Sequence, residues 1–313
     1  MRASSSRHPA SLTVGICLVF LAGCGNPSDS GSDTGTSQNP AASSAVPVVT
    51  STNVYGDIVE RIGGGQVKVT SIISEPDQDP HSYEANTQNQ LALTKAKVVV
   101  ENGGGYDDFI DRMLKSSDNS SAEVVNAVKV SGKSAPAGAE LNEHVWYDLP
   151  TVARLADRIA AALGEADPDG AATFTRNADA FRAELKSLET REAQIRTDHG
   201  GEPVAITEPV PLYMIEAGGL ENATPEEFSD AIEEGDDVSP RTLRDTLALF
   251  TERRVEALVH NEQTSGPQTD RVEQAARTAG IPVVPVTETL PEGEDYIGWM
   301  TANVDALASA LGK

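Results

Sequence analysis

Four side chains of metal-ligand type lie far apart in the chain: His81, His144, Glu208 and Glu288. His81 follows the apolar run 67–73, Glu208 follows 204–207 and Glu288 follows 283–287, and each run reads as a buried strand. In an open α/β sheet, ligands bind in the crevice beyond the carboxyl ends of the strands. Residues remote in sequence can therefore meet at one point. Two imidazoles and two carboxylates suit a divalent transition metal.

The local contexts sharpen this set. His81 follows Pro80 in a polar loop, and the proline restricts the backbone that presents the ring. His144 precedes Trp146, Tyr147 and Asp148 at the start of a helical pattern. Asp148 can cap that helix or accept the second ring N–H of a ligating histidine. Glu208 stands between Thr207 and Pro209, and Glu288 between Thr287 and Thr289. Taken singly, each has a plain alternative: an exposed loop histidine, a salt bridge or a cap. His260 and Glu262 also end a strand and are expected beside the site, whereas His199 reads as an exposed turn residue. The zincin, nucleophile-elbow, phosphate-loop and dinucleotide motifs (HExxH, GxSxG, Walker lysine, GxGxxG) are missing.

The elements that must position these groups alternate along the chain. Strands are expected at 48–50, 67–73, 98–100, 204–207, 255–259 and 283–287, with helices between them. Between residues 171 and 197 there is no proline or glycine, and Phe174, Phe181, Leu185, Leu188 and Ile195 recur at helical spacing. That predicts one helix of about seven turns, roughly 40 Å long. The expected fold class is α/β, with two lobes, each a mostly parallel sheet flanked by helices, joined by one long rigid helix.

Composition supplies an address. The 313-residue chain carries 24 Lys plus Arg against 48 Asp plus Glu, a formal charge of −24. Phosphate backbones need clustered cations, so no nucleic-acid partner is expected. Residues 1–23 combine Arg2 and Arg7, a short apolar core and Leu21-Ala22-Gly23 ahead of Cys24, the pattern of an export signal. Leu-Ala-Gly-Cys resembles the lipobox of bacterial lipoproteins, which implies that Cys24 is lipidated and becomes the first mature residue. With Cys17 lost in the signal, no cysteine remains for a disulfide or a thiolate metal site. Residues 24–46 are almost free of large apolar side chains and read as a flexible tether. The divisions that follow are a first lobe over 47–165, the linking helix over 166–199 and a second lobe over 200–313.

Across residues 47–313 the order of motifs resembles one family. Pro80-His81-Ser82-Tyr83-Glu84 follows the second strand, Glu143-His144 stands with Asp148, Glu208 opens the second lobe, and Thr287-Glu288-Thr289-Leu290 precedes Asp295-Tyr296. This pattern is similar to the lipoprotein receptors of bacterial zinc and manganese ABC importers. The resemblance implies that His81, His144, Glu208 and Glu288 hold the metal between two lobes that a single long helix connects. Glu208 falls where zinc receptors usually have His and manganese receptors Glu; Glu288 falls where Asp is commonest. The His-rich loop of many zinc receptors is missing, since residues 131–141 contain no His. Both features lean towards manganese, although raw affinity at nitrogen and oxygen sites favours zinc.

The expected protein is therefore an extracytoplasmic monomer, anchored to the cell membrane by lipid, that binds Mn2+ or Zn2+ and delivers it to an ABC permease. It is not expected to be an enzyme. The rival readings are a secreted metallohydrolase, with Glu262 as the spare base, and a lipoprotein adhesin.

Overall fold

A computed structural model gives the structure of the protein and describes residues 45–75, 83, 86–135 and 141–312. The leader expected over 1–23, Cys24, the expected tether up to residue 44 and His81 lie outside the described residues. In chain order the elements are β1 (Val46–Thr52), α1 (Asn53–Gly63), β2 (Val67–Ile73), α2 (Thr87–Lys95), β3 (Val98–Glu101), α3 (Asp108–Ser117), β4 (Glu123–Asn126), α4 (Ala127–Ser131), α5 (Leu149–Ala166) and the long α6 (Ala171–His199). There follow β5 (Pro203–Ile206), α7 (Leu212–Ala217), β6 (Glu221–Asn222), α8 (Glu226–Glu233), α9 (Pro240–Thr251), β7 (Leu258–Asn261), α10 (Pro267–Ala279), β8 (Val283–Val286) and α11 (Tyr296–Leu311).

Each lobe has one four-stranded sheet, ordered β2-β1-β3-β4 in the first and β6-β5-β7-β8 in the second. All the pairings are parallel. The expected α/β architecture of two sheets and a linking helix is what the structure has. Local expectations differ in several places, α7 and β6 among the elements not foreseen. β4 and α4 went unseen because Glu123-Val124-Val125-Asn126 offers only two apolar residues for a strand. α8 went unseen for a similar reason, with only Phe228 and Ile232 as its buried large apolar residues. β7 starts at Leu258 rather than Val255, because Arg253 takes φ 52° and the chain is still turning after α9.

The strand residues alternate between cores, as a period of two requires. Val48 of β1 and Val98 and Val100 of β3 face a central cluster, whereas Val49 and Val99 face an outer one under α2 and α3. In the second lobe Val204, Ile206 and Val259 face the same central cluster, and Ala205 and Leu258 face a third, beneath α9 and α10. The central cluster is thus one apolar core shared by both lobes.

α6 runs through that core as a spine, packing on α1 and α5 of the first lobe and on α7 and α11 of the second. Its 29 residues span roughly 43 Å at ~1.5 Å per residue. Phe174, Ala178, Phe181, Leu185, Leu188, Glu192 and Ile195 form its buried stripe, with steps of three and four residues. Each large apolar member contributes about 1.5–3 kcal/mol by leaving water. The turn over 167–170 separates α6 from α5, where the Asp167 N–H closes on the Leu163 carbonyl.

Candidate metal centre

His144 sits in the turn ahead of a short 3-10 helix, Val145–Tyr147, and is fully buried. Its ring meets Trp146 edge-on at 5.0 Å and Tyr106 at 6.0 Å between centroids. Tyr106 is placed by the turn after β3. There Gly103, Gly104 and Gly105 all have positive φ, and Asp107 accepts from the N–H groups of Asn102 (2.6 Å) and Gly103 (2.7 Å). A Cβ at Gly103 would meet the Asn126 side chain at 2.2 Å, so the turn tolerates nothing larger.

The His144 ring is oriented by Asn142. Asn142 Oδ1 accepts from the His144 backbone N–H at 3.1 Å and lies 2.7 Å from ring Nδ1. The Asn142 NH2 donates to the carbonyl of Pro209 at 3.1 Å, and Tyr213 Oη donates to the carbonyl of Asn142 at 2.6 Å. With its amide nitrogen engaged there, Asn142 presents only oxygen to the ring, so Nδ1 carries the proton. The lone pair is then on Nε2, the ring atom a metal needs. Asp148, expected either as a cap or as this acceptor, is the cap: it accepts from Thr151 N–H at 3.1 Å and pairs with Lys133 at 3.3 Å.

His144 Nε2 points at Glu233 Oε1, 3.4 Å away. Ligand atoms of Glu143, His144 and Glu233 lie within 4.8 Å of one another, the only such group among the described residues. Burial, then the charges of Glu143, Glu288 and Glu208, push the Glu233 carboxyl up to about 10. Glu208 and Glu288 lie outside the tight group yet act on its centre. Glu208 is almost fully buried just after β5. Glu288 acts on the buried Tyr106 phenol, whose pKa rises well above its ordinary value through burial first and Glu288 second.

The Glu288 loop is held from both lobes. Gln263 Oε1 accepts from the N–H groups of Glu288 (2.7 Å) and Thr289 (3.0 Å). From the first lobe, Asn53 accepts from Leu290 N–H at 3.0 Å and donates to its carbonyl at 2.8 Å, while Tyr147 Oη donates to the Thr287 carbonyl at 2.6 Å. Of the four expected ligands, His144 belongs to the tight group, Glu208 and Glu288 act on it through their charges, and His81 is outside the described residues. Sequence reading missed Glu233, because α8 itself was not recognised. The signal available was Pro225 and two acids opening a helix, Phe228 and Ile232 four apart, and Gly235 as its stop.

A family model described as ZnuA, the periplasmic component A of a zinc-uptake complex, matches residues 48–310. The chain belongs to that family. The manganese-binding lipoprotein MntA of Bacillus subtilis (strain 168) is 26% identical over 307 residues, covering 93% of this chain and 95% of that one. The protein of the same name from Halalkalibacterium halodurans is 31% identical over 183 residues, but that match spans 57% of this chain and 56% of the relative. In fold, the periplasmic zinc-binding protein TroA from Treponema pallidum superposes with a TM-score of 0.71 at 20% identity, over 85% of this chain and 99% of its own.

As a ZnuA-family member the chain stands among metal-binding receptor components of ABC importers, which are not enzymes. The reading of His260 as a neighbour of the site is corrected. His260 shares its strand face with Leu258 and turns to α10, whose Glu273, Asp270 and Arg277 act on it together with Glu262. Burial lowers its pKa. Glu262 is exposed. His199, expected to be exposed, is partly buried and rests against Glu202 at 3.2 Å, at the far end of α6. Among the described residues no helix is long and apolar enough to cross a membrane.

Proposed function

We propose that the protein is an extracytoplasmic, lipid-anchored receptor that captures a divalent transition metal, Mn2+ or Zn2+, between its lobes and delivers it to the permease of an ABC importer. The observation that carries this reading is the meeting of the buried His144 with Glu143 and Glu233 in the field of Glu208 and Glu288. Carboxylates gathered around an imidazole that turns its lone pair towards them are costly unless a cation joins them. The ligands taken from the sequence pattern are His81, His144, Glu208 and Glu288. Metal and protons compete for such groups, so affinity falls in acid. The names of the MntA relatives, both manganese-binding lipoproteins, support the cargo and the anchor.

In this reading residues 1–23 are a signal whose removal leaves the lipid-bearing Cys24 as the first mature residue, and the stretch from Cys24 to the start of β1 at Val46 tethers two lobes, 47–165 and 200–313, joined over 166–199. Each buried CH2 of an acyl chain contributes about 0.8 kcal/mol to membrane attachment. Cys24→Ser should move the protein from the membrane fraction to the soluble one; retention on the membrane would remove the anchor from the account. The shared core and the through-running α6 restrict the lobes to small tilts. For the cargo, calorimetric titration of Mn2+ and Zn2+ into wild type and the His81→Ala/Glu208→Ala variant is the test. The double variant should lose both ions, and unchanged uptake would reject the site.

A further inference from the structure

Glu233 is held in an electrostatically adverse position by a well-defined helix end. It is the last residue of α8, and the chain closes behind it with Gly235 at φ 71°. The Gly235 N–H bonds the Ile232 carbonyl at 3.1 Å and the Asp236 N–H bonds the Ala231 carbonyl at 2.8 Å. That pair of bonds is the Schellman closure, which fixes where the last turn points. Phe228, Ser229 and Ile232 are the buried residues of α8, and Ser229 lies one turn before Glu233 on the same face. Glu233 is therefore steered to its place.

The place is unfavourable for an anion on three counts. The C-terminal end of a helix carries partial negative charge. The side chain is only 13% exposed, and Oε2 is buried with no hydrogen-bond partner among the described residues. Its strongest electrostatic neighbours are the carboxylates of Glu143, Glu288 and Glu208. What it does face is Nε2 of His144, at 3.4 Å, on the opposite lobe. An oxygen beside the Nε2 lone pair of a buried imidazole, ringed by other carboxylates, is where a cation would be shared.

We propose that Glu233 is a direct ligand of the captured cation, and that it sets a preference for Mn2+ over Zn2+. This rests on the receptor reading and adds to it a ligand from a separate element, α8. The chemistry follows from coordination number. Zn2+ is satisfied by four tetrahedral ligands, the number that the receptor reading assigns without Glu233. Mn2+ favours more ligands and hard oxygen donors, so a further carboxylate helps it and adds little for zinc.

The experiment titrates Mn2+ and Zn2+ separately into wild type, Glu233→Gln, Glu233→Asp and the control Glu227→Gln, an exposed residue in the first turn of α8. Circular dichroism verifies that each variant is folded. Glu233→Gln should weaken Mn2+ binding by about 10–100-fold and Zn2+ binding by less than about threefold, taking the range over which ligand surroundings tune metal affinity. Glu233→Asp keeps the charge but shortens the reach, so it should also lose the manganese preference, while Glu227→Gln should match wild type. Equal losses for both ions, no loss for either, or full retention of the preference in Glu233→Asp would overturn direct ligation while leaving the receptor reading intact. Failure of wild type to bind either ion would overturn the receptor reading and this ligand together.

Discussion

Two buried glutamates, one beside His144 and one in the spine, show what a carboxylate costs with and without an imidazole facing it. Glu233 stands among Glu143, Glu208 and Glu288 against His144, and burial with those charges drives it up to about 10. Glu192 lies in the α6 stripe between Leu188 and Ile195, 4% exposed, and burial, then the charges of Glu189 and Asp148, raises it to about 8. Arg196, one turn on, lowers it only in part and spends its guanidinium on the carbonyls of Glu216 and Ala217. In the cleft the cost is shared by groups from several elements that a single cation can satisfy at once. In the spine it falls on one residue that no cargo reaches. The same physics supports the proposed binding site in one region and is a plain stability penalty in the other.

That contrast is sharpened first by Glu192→Gln. An acid with a raised folded pKa binds more protons folded than unfolded, so stability falls as pH climbs from about 4.5 to about 8 and then levels. Removing the charge should stabilise the fold by a few kcal/mol above pH 8, since each tenfold change in proton affinity is worth ~1.4 kcal/mol, with no gain near pH 4.5. Thermal melts across that window decide it; a melting-point difference that does not change with pH would place the Glu192 charge outside the stability balance. Metal affinity should not follow the change.

A smaller effect is expected on the cleft side from Asn142→Ala. It removes the acceptor at His144 Nδ1 and the bond to the Pro209 carbonyl beside Glu208. Outer partners of metal-bound histidines typically contribute about 10–100-fold in affinity. Titration of the variant with Mn2+ should show a loss in that range while the melting point of the metal-free protein moves little. Unaltered affinity would mean that the aromatic cage of Trp146 and Tyr106 orients the ring by itself.

The same contrast explains what the sequence made legible. The stripe of α6 and the valine-rich β1, β3 and β8 are strong periodic signals, and they gave the two-sheet architecture with its spine. His144, Glu208 and Glu288 stood out because each follows a recognisable strand or precedes a clear helix. Glu233 did not, because its helix has two large buried anchors and an acidic surface, and a carboxylate ending such a helix looks like solvated decoration. Asp148 was correctly read as a potential cap, but the partner of His144 is Asn142, two residues before the ring. A short polar turn leaves no periodic trace. His260 misled because a strand end fixes a residue's level, whereas the face it occupies depends on register.

The central claim is that side chains from both lobes close around one divalent cation. Its most direct test is elemental analysis of the purified protein after gel filtration, with Mn2+ and Zn2+ offered in competition, beside the His81→Ala/Glu208→Ala variant. One ion per monomer in wild type and none in the variant is the result predicted here. A wild type that elutes without metal, or a variant that keeps its ion, would contradict it.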